Sequence, residues 1–406
     1  MFVAIMGYGT VGSGVAAVLK QNGAAISKKC GCDSIEVKKI LDIRKFPGDP
    51  FEDKITADFQ EILTDPEIKI VAETMGGLHP AYDFVLALLE AGKSVVTSNK
   101  ELVAVKGKEL LDTAAKNGVN FLFEASTGGG IPVLRPITQC LVANEITEVA
   151  GILNGTTNYI LTKMITEGTS FEAALADAQN LGYAERDPSA DVDGIDALRK
   201  ICILADLCFG KNVSPESVKA IGIRGVTLAD VEAAKALGGV IKLIASAKKT
   251  AGGKIAVTVS PAFIKNGSQT AACDDVFNCI LVRGDAVGEV CFYGPGAGKM
   301  PTASAVVADI ADCAKHGGVD RSPAWEEGED GFVVSGDDFT ASWLVRATGD
   351  KAKVREQFPD VGFLNTVNSS ENDLLFITEE IPYGKVIDAL KNAGAETGSV
   401  IRITDY

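Results

Sequence analysis

Asp196 and Lys200 stand four residues apart in a run where Ile195, Leu198, Ile201, Cys202 and Ala205 trace one apolar stripe, while Ile203 and Leu207 extend the face that the two charges share. The spacing predicts one helix with both charges partly buried. A lysine held in such a place can deliver or accept a proton at a reacting oxygen, and a structural ion pair leaves the same trace in a sequence. Just upstream, Gly182-Tyr183-Ala184-Glu185-Arg186-Asp187-Pro188 leads into Asp191 and Asp193. Capping of the following helix accounts for Asp191 and Asp193 but not for the other acids. Histidine chemistry has little material: the chain holds His79 and His316 and no Gly-x-Ser-x-Gly elbow, so a lysine is the better acid/base candidate.

A second set of residues suits a dinucleotide. Gly7-Tyr8-Gly9-Thr10-Val11-Gly12 follows the apolar run Phe2–Met6 and opens a helical pattern. In that context Gly7 allows a tight turn, Gly9 lets backbone N–H groups approach a pyrophosphate, and Gly12 allows the helix to pack closely on the strand. The second strand ends in Asp42-Ile43-Arg44-Lys45. An acid there binds a ribose diol, as in NAD, and a base accepts the 2′-phosphate of NADP; both chemistries are present, as is the plainer reading of solvated charges at a strand end. Lys100, in Thr97-Ser98-Asn99-Lys100, lies between a strand and a helix at the carboxyl edge of the sheet. A lysine in a helix first turn faces the positive end of the dipole, so it needs another reason to be there.

Glu124-Ala125-Ser126-Thr127-Gly128-Gly129-Gly130-Ile131-Pro132 puts glycines straight after a strand and implies a hinge or an ion site, since a carboxylate and several carbonyls from one turn suit a hard cation. Gly294-Pro295-Gly296-Ala297-Gly298 precedes a further helix and reads either as a second approach to the cofactor or as an interdomain return.

The elements that must position these residues fall into distinct patterns. Strands at Phe2–Met6, Ile35–Ile43, Ile68–Glu73, Ser94–Thr97 and Val119–Glu124 alternate with helices at Val11–Gln21, Pro80–Ala91 and Glu101–Asn117. That alternation predicts a Rossmann-like, doubly wound parallel sheet of the α/β class over residues 1–130, completed by a helix at about 300–316. Residues 131–299 mix long helices with strands at Thr147–Leu153, Val240–Ala247, Ile255–Ser260, Val276–Arg283 and Val287–Tyr293, as an α+β substrate-binding or dimerisation domain would. Gly317–Ser335 reads as an exposed linker. From Gly336 to the last residue the order is βαββαβ, a ferredoxin-like unit: Ser342–Ala347, Lys351–Gln357, Gly362–Val367, Asp373–Thr378, Tyr383–Asn392 and Thr397–Ile403.

Composition narrows the function classes. The 406 residues exceed one ordinary core, and 46% hydrophobic with 23% charged residues is globular. A formal charge of −15 opposes nucleic acid and anionic membrane as partners, leaving small molecules or copies of the same chain. No basic and apolar leader or membrane-length apolar stretch is present, and nine cysteines at irregular spacing, mostly in apolar runs, fit a reducing, cytoplasmic setting. Cys30 and Cys32 lack a second cluster that would complete a metal site.

Taken in order, Gly7–Gly12, Glu73-Thr74-Met75-Gly76-Gly77, Thr97–Lys100, Glu124–Pro132, Gly151-Ile152-Leu153-Asn154-Gly155-Thr156-Thr157-Asn158-Tyr159, Gly182–Pro188, the Asp196/Lys200 helix and Gly294–Gly298 resemble homoserine dehydrogenase over about the first 315 residues. The resemblance implies NAD(P)-dependent interconversion of L-homoserine and L-aspartate 4-semialdehyde, in the biosynthesis of threonine, methionine and isoleucine. It implies that Lys200 is the proton donor, that Glu185 and Asp196 bind homoserine beside Gly182 and Tyr183, and that Lys100 lies between cofactor and substrate. Thr10, Val11, Met75, Gly76, Ser98, Gly182 and Gly298 would then adjoin the cofactor. A monovalent cation, Na+ or K+, would be held by Glu124 and the backbone of Thr127, Gly129 and Ile131; Thr127 stands where the family usually has valine. A homodimer or homotetramer is implied as well. The C-terminal unit is similar to ACT domains, but after Asp350 it reads Lys351-Ala352-Lys353-Val354 where those carry a Pro-Gly turn. Two other readings share the nucleotide domain: a different amino-acid or semialdehyde dehydrogenase, and a sensor that binds without turnover.

Overall fold

The computed structural model describes residues 1–316, 319, 321–364 and 372–406. The chain folds into two compact units, neither of them continuous in sequence: Met1–Glu145 with Cys202–Ser214 and Gly294–Gly328, and Ile146–Ile201 with Pro215–Tyr293 and Glu329–Tyr406.

In chain order the first segment forms β1 (Phe2–Met6), α1 (Thr10–Cys30), β2 (Glu36–Leu41), β3 (Ile55–Thr56), α2 (Gln60–Leu63), β4 (Ile68–Glu73), α3 (Ala81–Glu90), β5 (Ser94–Thr97), α4 (Lys100–Asn117) and β6 (Phe121–Leu122). The six strands make one sheet in the order β3-β2-β1-β4-β5-β6, all pairings parallel. This is the doubly wound arrangement, and the order reverses between β1 and β4. Register aligns the carboxyl ends there, with Met6 opposite both Leu41 and Glu73. Gly7, Asp42 and Thr74 therefore leave the sheet side by side.

The middle of the chain continues as β7 (Ile146–Ile152), α5 (Gly155–Glu167), α6 (Phe171–Asn180), α7 (Ser189–Val192), α8 (Ile195–Phe209), α9 (Leu228–Ala236), β8 (Gly239–Lys249), β9 (Ile255–Lys265), β10 (Phe277–Gly284), β11 (Gly288–Pro295) and α10 (Lys299–Lys315). Helix α10 returns to the first unit, where Ala303, Val306 and Ile310 join Val3, Ile5, Val15, Leu19, Ile70 and Val96 in one core. It lies so close to α1 that a Cβ on Gly14 would come within 2.8 Å of the Lys299 carbonyl. The helix runs as the expected one at about 300–316, with Pro301 tolerated in its first turn, where the missing N–H would have had no intrahelical acceptor.

The remaining elements are β12 (Thr340–Ala341), β13 (Trp343–Thr348), α11 (Lys351–Gln357), β14 (Asp373–Ile377), β15 (Ile381–Pro382), α12 (Tyr383–Asn392) and β16 (Glu396–Thr404). Their strands do not stand apart from the middle region. One eight-stranded sheet runs β11-β10-β7-β8-β9-β16-β13-β14, with β16 parallel to β9 through Arg402–Thr404 and Ala262–Ile264. The C-terminal strands keep a core of their own around Trp343, Val345, Leu374, Phe376, Val386 and Leu390.

Three details differ from the sequence reading. The strand expected at Val119–Glu124 shrinks to β6, because the Glu124 N–H turns out of the sheet to donate to Asp309 Oδ2 at 2.9 Å. Of the strand expected at Gly362–Val367, Phe363 forms a single bridge to Phe376, and residues 365–367 lie outside the described ones. The stretch expected as an exposed linker is anchored. Trp325 is buried against Phe123, with ring centroids 5.8 Å apart, and the main chain of Phe332 and Val334 hydrogen-bonds Ile255.

Candidate active site

The glycine loop of the first unit is built as close packing requires. Gly7 takes φ +90°, and a Cβ on Gly12 would lie 1.9 Å from the Gly7 carbonyl, so a side chain is excluded at both. A Cβ on Gly9, by contrast, would meet only Arg44 Nη2 at 3.8 Å. Among the described residues no protein atom explains the small residue at Gly9; a ligand drawn to the N-terminus of α1 does, and this is the fit a dinucleotide pyrophosphate needs. Thr10 and Val11 begin that helix without a capping side chain.

At the neighbouring strand end, Asp42 and Arg44 are bound to one another. Asp42 Oδ1 accepts from the Arg44 N–H and Nε at 2.9 and 3.0 Å, and Oδ2 accepts from Arg44 Nη2 and the Tyr8 N–H, both at 2.8 Å. The Arg44 hydrogen bonds pull the Asp42 carboxyl down to about 2. The guanidinium itself is mostly exposed and lies over the Phe46 ring at 5.2 Å. The carboxylate that a ribose diol would want is therefore occupied, and the cation beside it faces outward.

Glu73, at the end of β4, is a residue whose importance the sequence reading missed. It is fully buried, and its carboxylate accepts from the Thr97 hydroxyl at 2.5 Å and from the Met75 and Gly76 N–H groups at 2.7 and 3.4 Å. Burial pushes its pKa up. The turn through Met75 and Gly76 is thus held by a buried carboxylate. Asn99 caps α4 by accepting from the Leu102 N–H at 3.1 Å and donates to the Gly77 carbonyl at 2.6 Å; Ser98 precedes it, and Lys100 is the first helical residue.

The Glu124 carboxylate is engaged with the chain that follows it. Its Oε1 accepts from the N–H groups of Val133 and Leu134 at 2.6 and 2.9 Å, and its Oε2 from that of Arg135 at 2.8 Å. The buried Thr127 hydroxyl has no hydrogen-bond partner, an orphan that fits a missing ligand there. Gly129 is glycine for contact: a Cβ would lie 2.1 Å from the Gly296 carbonyl, in the loop that ends at Gly298, the residue preceding α10. Ile131 is buried beside it.

In the second unit the start of α8 carries the paired charges. Lys200 Nζ lies 2.8 Å from Asp196 Oδ2, and both residues are buried. The ammonium also donates to the Leu153 carbonyl at 2.8 Å. Asn154, the N-cap of α5, accepts from the Thr157 N–H and donates to Asp196 Oδ2 at 2.9 Å and Asp191 Oδ1 at 2.7 Å. Its signal was available in Asn154-Gly155-Thr156-Thr157, since asparagine before a helix is a cap, but nothing local says what the cap's amide would hold. Of the acids ahead of α8, Asp191 accepts from Asn154 and Asp193 pairs with Arg224. Thr156, one residue into α5, donates to the Tyr183 carbonyl at 2.7 Å, and the Tyr183 ring meets Tyr159 edge-on at 5.1 Å. The α5 N-terminus thereby positions both the charged pair and the Gly182–Tyr183 loop. Glu185 lies exposed on that loop, with its main-chain carbonyl accepting from Gln179.

Comparison with known proteins agrees with the geometry. The family model "Homoserine dehydrogenase, NAD binding domain" matches residues 7–124, and "Homoserine dehydrogenase" matches residues 132–311. The homoserine dehydrogenase of Bacillus subtilis (strain 168) is 43% identical over 317 residues, 77% of this chain and 73% of its own length. That of Synechocystis sp. is 45% identical over 313 residues, 76% of this chain and 72% of its own. Among solved structures, a homoserine dehydrogenase from Thiobacillus denitrificans superposes over the whole chain and 98% of its own, with TM-score 0.92 and 33% identity. A hyperthermophilic archaeal homoserine dehydrogenase in complex with NADPH covers 76% of this chain and 96% of its own, with TM-score 0.65 and 28% identity. With matches of this extent over both the nucleotide sheet and the Asp196/Lys200 helix, the chain belongs to the homoserine dehydrogenase family, oxidoreductases with an NAD-binding domain.

Proposed function

We propose that Lys200 is the proton donor and acceptor in the interconversion of L-homoserine and L-aspartate 4-semialdehyde, a step in the biosynthesis of threonine, methionine and isoleucine. The observation that carries this is the buried ammonium of Lys200 held at once by Asp196 and by the Leu153 carbonyl. When bound, the dinucleotide supplies or takes up the hydride. As the carbonyl carbon gains it, the oxygen becomes an alkoxide, and Lys200 Nζ protonates that oxygen while its charge stabilises the transition state. Asp196 orients the lysine, and with Glu185 it offers carboxylates to the substrate's α-ammonium, the stronger class of hydrogen bond. Gly182 and Tyr183 shape the substrate wall, and Lys100 takes its place between substrate and cofactor.

The cofactor lies on Gly7, Gly9, Thr10, Val11 and Gly12 and continues past Met75, Gly76, Ser98, Gly182 and Gly298. NADP is the preferred form, because the Asp42 oxygens are occupied while the Arg44 guanidinium is exposed beside Gly9. Na+ or K+ binds Glu124 and the main-chain carbonyls of Thr127, Gly129 and Ile131. The enzyme is a cytoplasmic homodimer or homotetramer acting on a small molecule, without nucleic acid or membrane. Its described cysteines are free, and Phe277 and Tyr293 are stacked and partly exposed near the sheet's β11 edge, as a subunit contact would use them. Among the described residues no helix is long and apolar enough to cross a membrane.

Initial rates with homoserine against NAD and NADP separately test substrate and cofactor together. Turnover is expected with homoserine, with the higher kcat/KM for NADP; inert homoserine and turnover of another alcohol would reject the assignment. Lys200→Ala is expected to lower kcat by at least about 10²-fold, the scale of general acid–base catalysis, while dinucleotide affinity stays within about twofold. An active Lys200→Ala enzyme removes Lys200 from the chemistry.

A further inference from the structure

Strand β16 carries two polar atoms that the fold leaves without partners: Arg402 Nε and Thr404 Oγ1, both buried. Alternation along the strand puts the two side chains on one face. Arg402 is 2% exposed, and its other N–H groups go to neutral oxygens: Nη1 donates to Ser246 Oγ at 2.8 Å and Thr258 Oγ1 at 2.7 Å, and Nη2 to the Ile244 carbonyl at 2.7 Å. No carboxylate pairs directly with this guanidinium among the described residues. The nearby Glu148 carboxylate accepts from Tyr406 Oη at 2.6 Å and Arg283 Nη1 at 2.9 Å. Glu148 therefore acts on the guanidinium only from a distance, and the buried Nε–H and the Thr404 hydroxyl, left unsatisfied on one face, are costly. The fold tolerates this where a ligand completes it.

Both residues line a groove of about 700 Å³ in the second unit. Lys248–Ala251 and Asp338–Ser342 form further walls, and the exposed Asp338 and Glu380 stand on its rim. We propose that this groove binds a small zwitterion, its carboxylate accepting from Arg402 Nε and the Thr404 hydroxyl and its ammonium facing Asp338 and Glu380. The lining carries both signs, Lys248, Lys249 and Arg402 against Asp338, Glu380 and Asp405, so a ligand bearing both charges fits it better than an anion or an amine alone. The groove shares no lining residue with the candidate catalytic and dinucleotide sites, and it is separate from the turn after Asp350.

Equilibrium dialysis of the full chain against glycine, acetate and methylammonium tests this. Glycine is expected to bind saturably below about 10 mM, with acetate and methylammonium each at least about tenfold weaker. Thr404→Val, which keeps the side-chain shape and removes the unpartnered hydroxyl, is expected to weaken glycine about tenfold while homoserine turnover in the absence of glycine stays at the parent rate. Arg402→Met is expected to abolish glycine binding; should that variant fail to fold, which circular dichroism shows, Thr404→Val still decides. The proposal is overturned by absent glycine binding, by acetate equalling glycine, or by glycine binding that Thr404→Val spares. Binding that Lys200→Ala removes and Thr404→Val keeps belongs to the substrate site and equally overturns it, without touching the catalytic assignment.

Discussion

At Asn154 a single amide side chain meets two demands, closing the first turn of α5 and holding the Asp196 carboxylate whose partner is Lys200. Asn154→Ala is expected to cost about 1 kcal/mol of stability as a lost cap. It is also expected to lower kcat/KM at least about tenfold, with dinucleotide affinity unchanged, because Asp196 loses a donor that fixes it. Asn154→Asp separates the two roles: it restores the cap but puts a further carboxylate against both Asp196 and Asp191, so its kcat/KM should stay low. Recovery of full activity in that variant would show that the amide only caps. The Asp196/Lys200 pairing was legible because helical spacing places i and i+4 on one face. Asn154 was half legible as a cap. Glu73 and Arg402 were not, since a lone polar residue ending or entering an apolar strand looks the same whether it meets water, a ligand or a buried partner. Asp42 and Arg44 were legible as alternatives, and only coordinates reveal that each occupies the other.

Among the elements, α10 is attached to the nucleotide unit by more than apolar contact. Asp309 on its buried face accepts from the Glu124 N–H and pairs with Arg135. Burial outweighs the guanidinium and pushes the Asp309 carboxyl up from 3.8 to about 7. Between about pH 4 and pH 7 the folded chain thus keeps a proton that the unfolded chain has lost. The stability this contributes is complete below about pH 4 and disappears as the pH rises through about 7. Asp309→Asn imitates the protonated form, so the urea midpoint of the parent is expected to fall relative to that of the variant as the pH goes from about 4.5 to about 8. A difference that stays flat across the range would place the carboxyl in its ionised form throughout. The helix was legible from its periodicity. The early end of β6 was not, because the residue that draws Glu124 out of the sheet lies far along the chain.

On the scale of the molecule, sequence patterning separated the α/β half from the rest, since strict alternation of strand and helix has only a few solutions in three dimensions. It did not reveal that β16 would pair with β9, because strand pairing between distant segments leaves no periodic mark. That pairing, and the hydrogen bonds of Arg346 and Ser399 to the buried Asp230, tie the C-terminal strands to the middle ones. Truncation before Gly336 strips an edge from β9 and leaves Asp230 without its guanidinium, so the shortened chain is expected to aggregate. A soluble, monodisperse truncation with parental melting would show the C-terminal strands to be dispensable. The return of α10 to α1 has a consequence during synthesis. A ribosome making about 5–20 residues per second needs roughly 8–30 s to go from the end of the first segment to Lys299. Throughout that interval the emerging α1 displays the groove around Gly14 with nothing to fill it, so the nascent nucleotide half is a natural client for a chaperone until its last helix arrives.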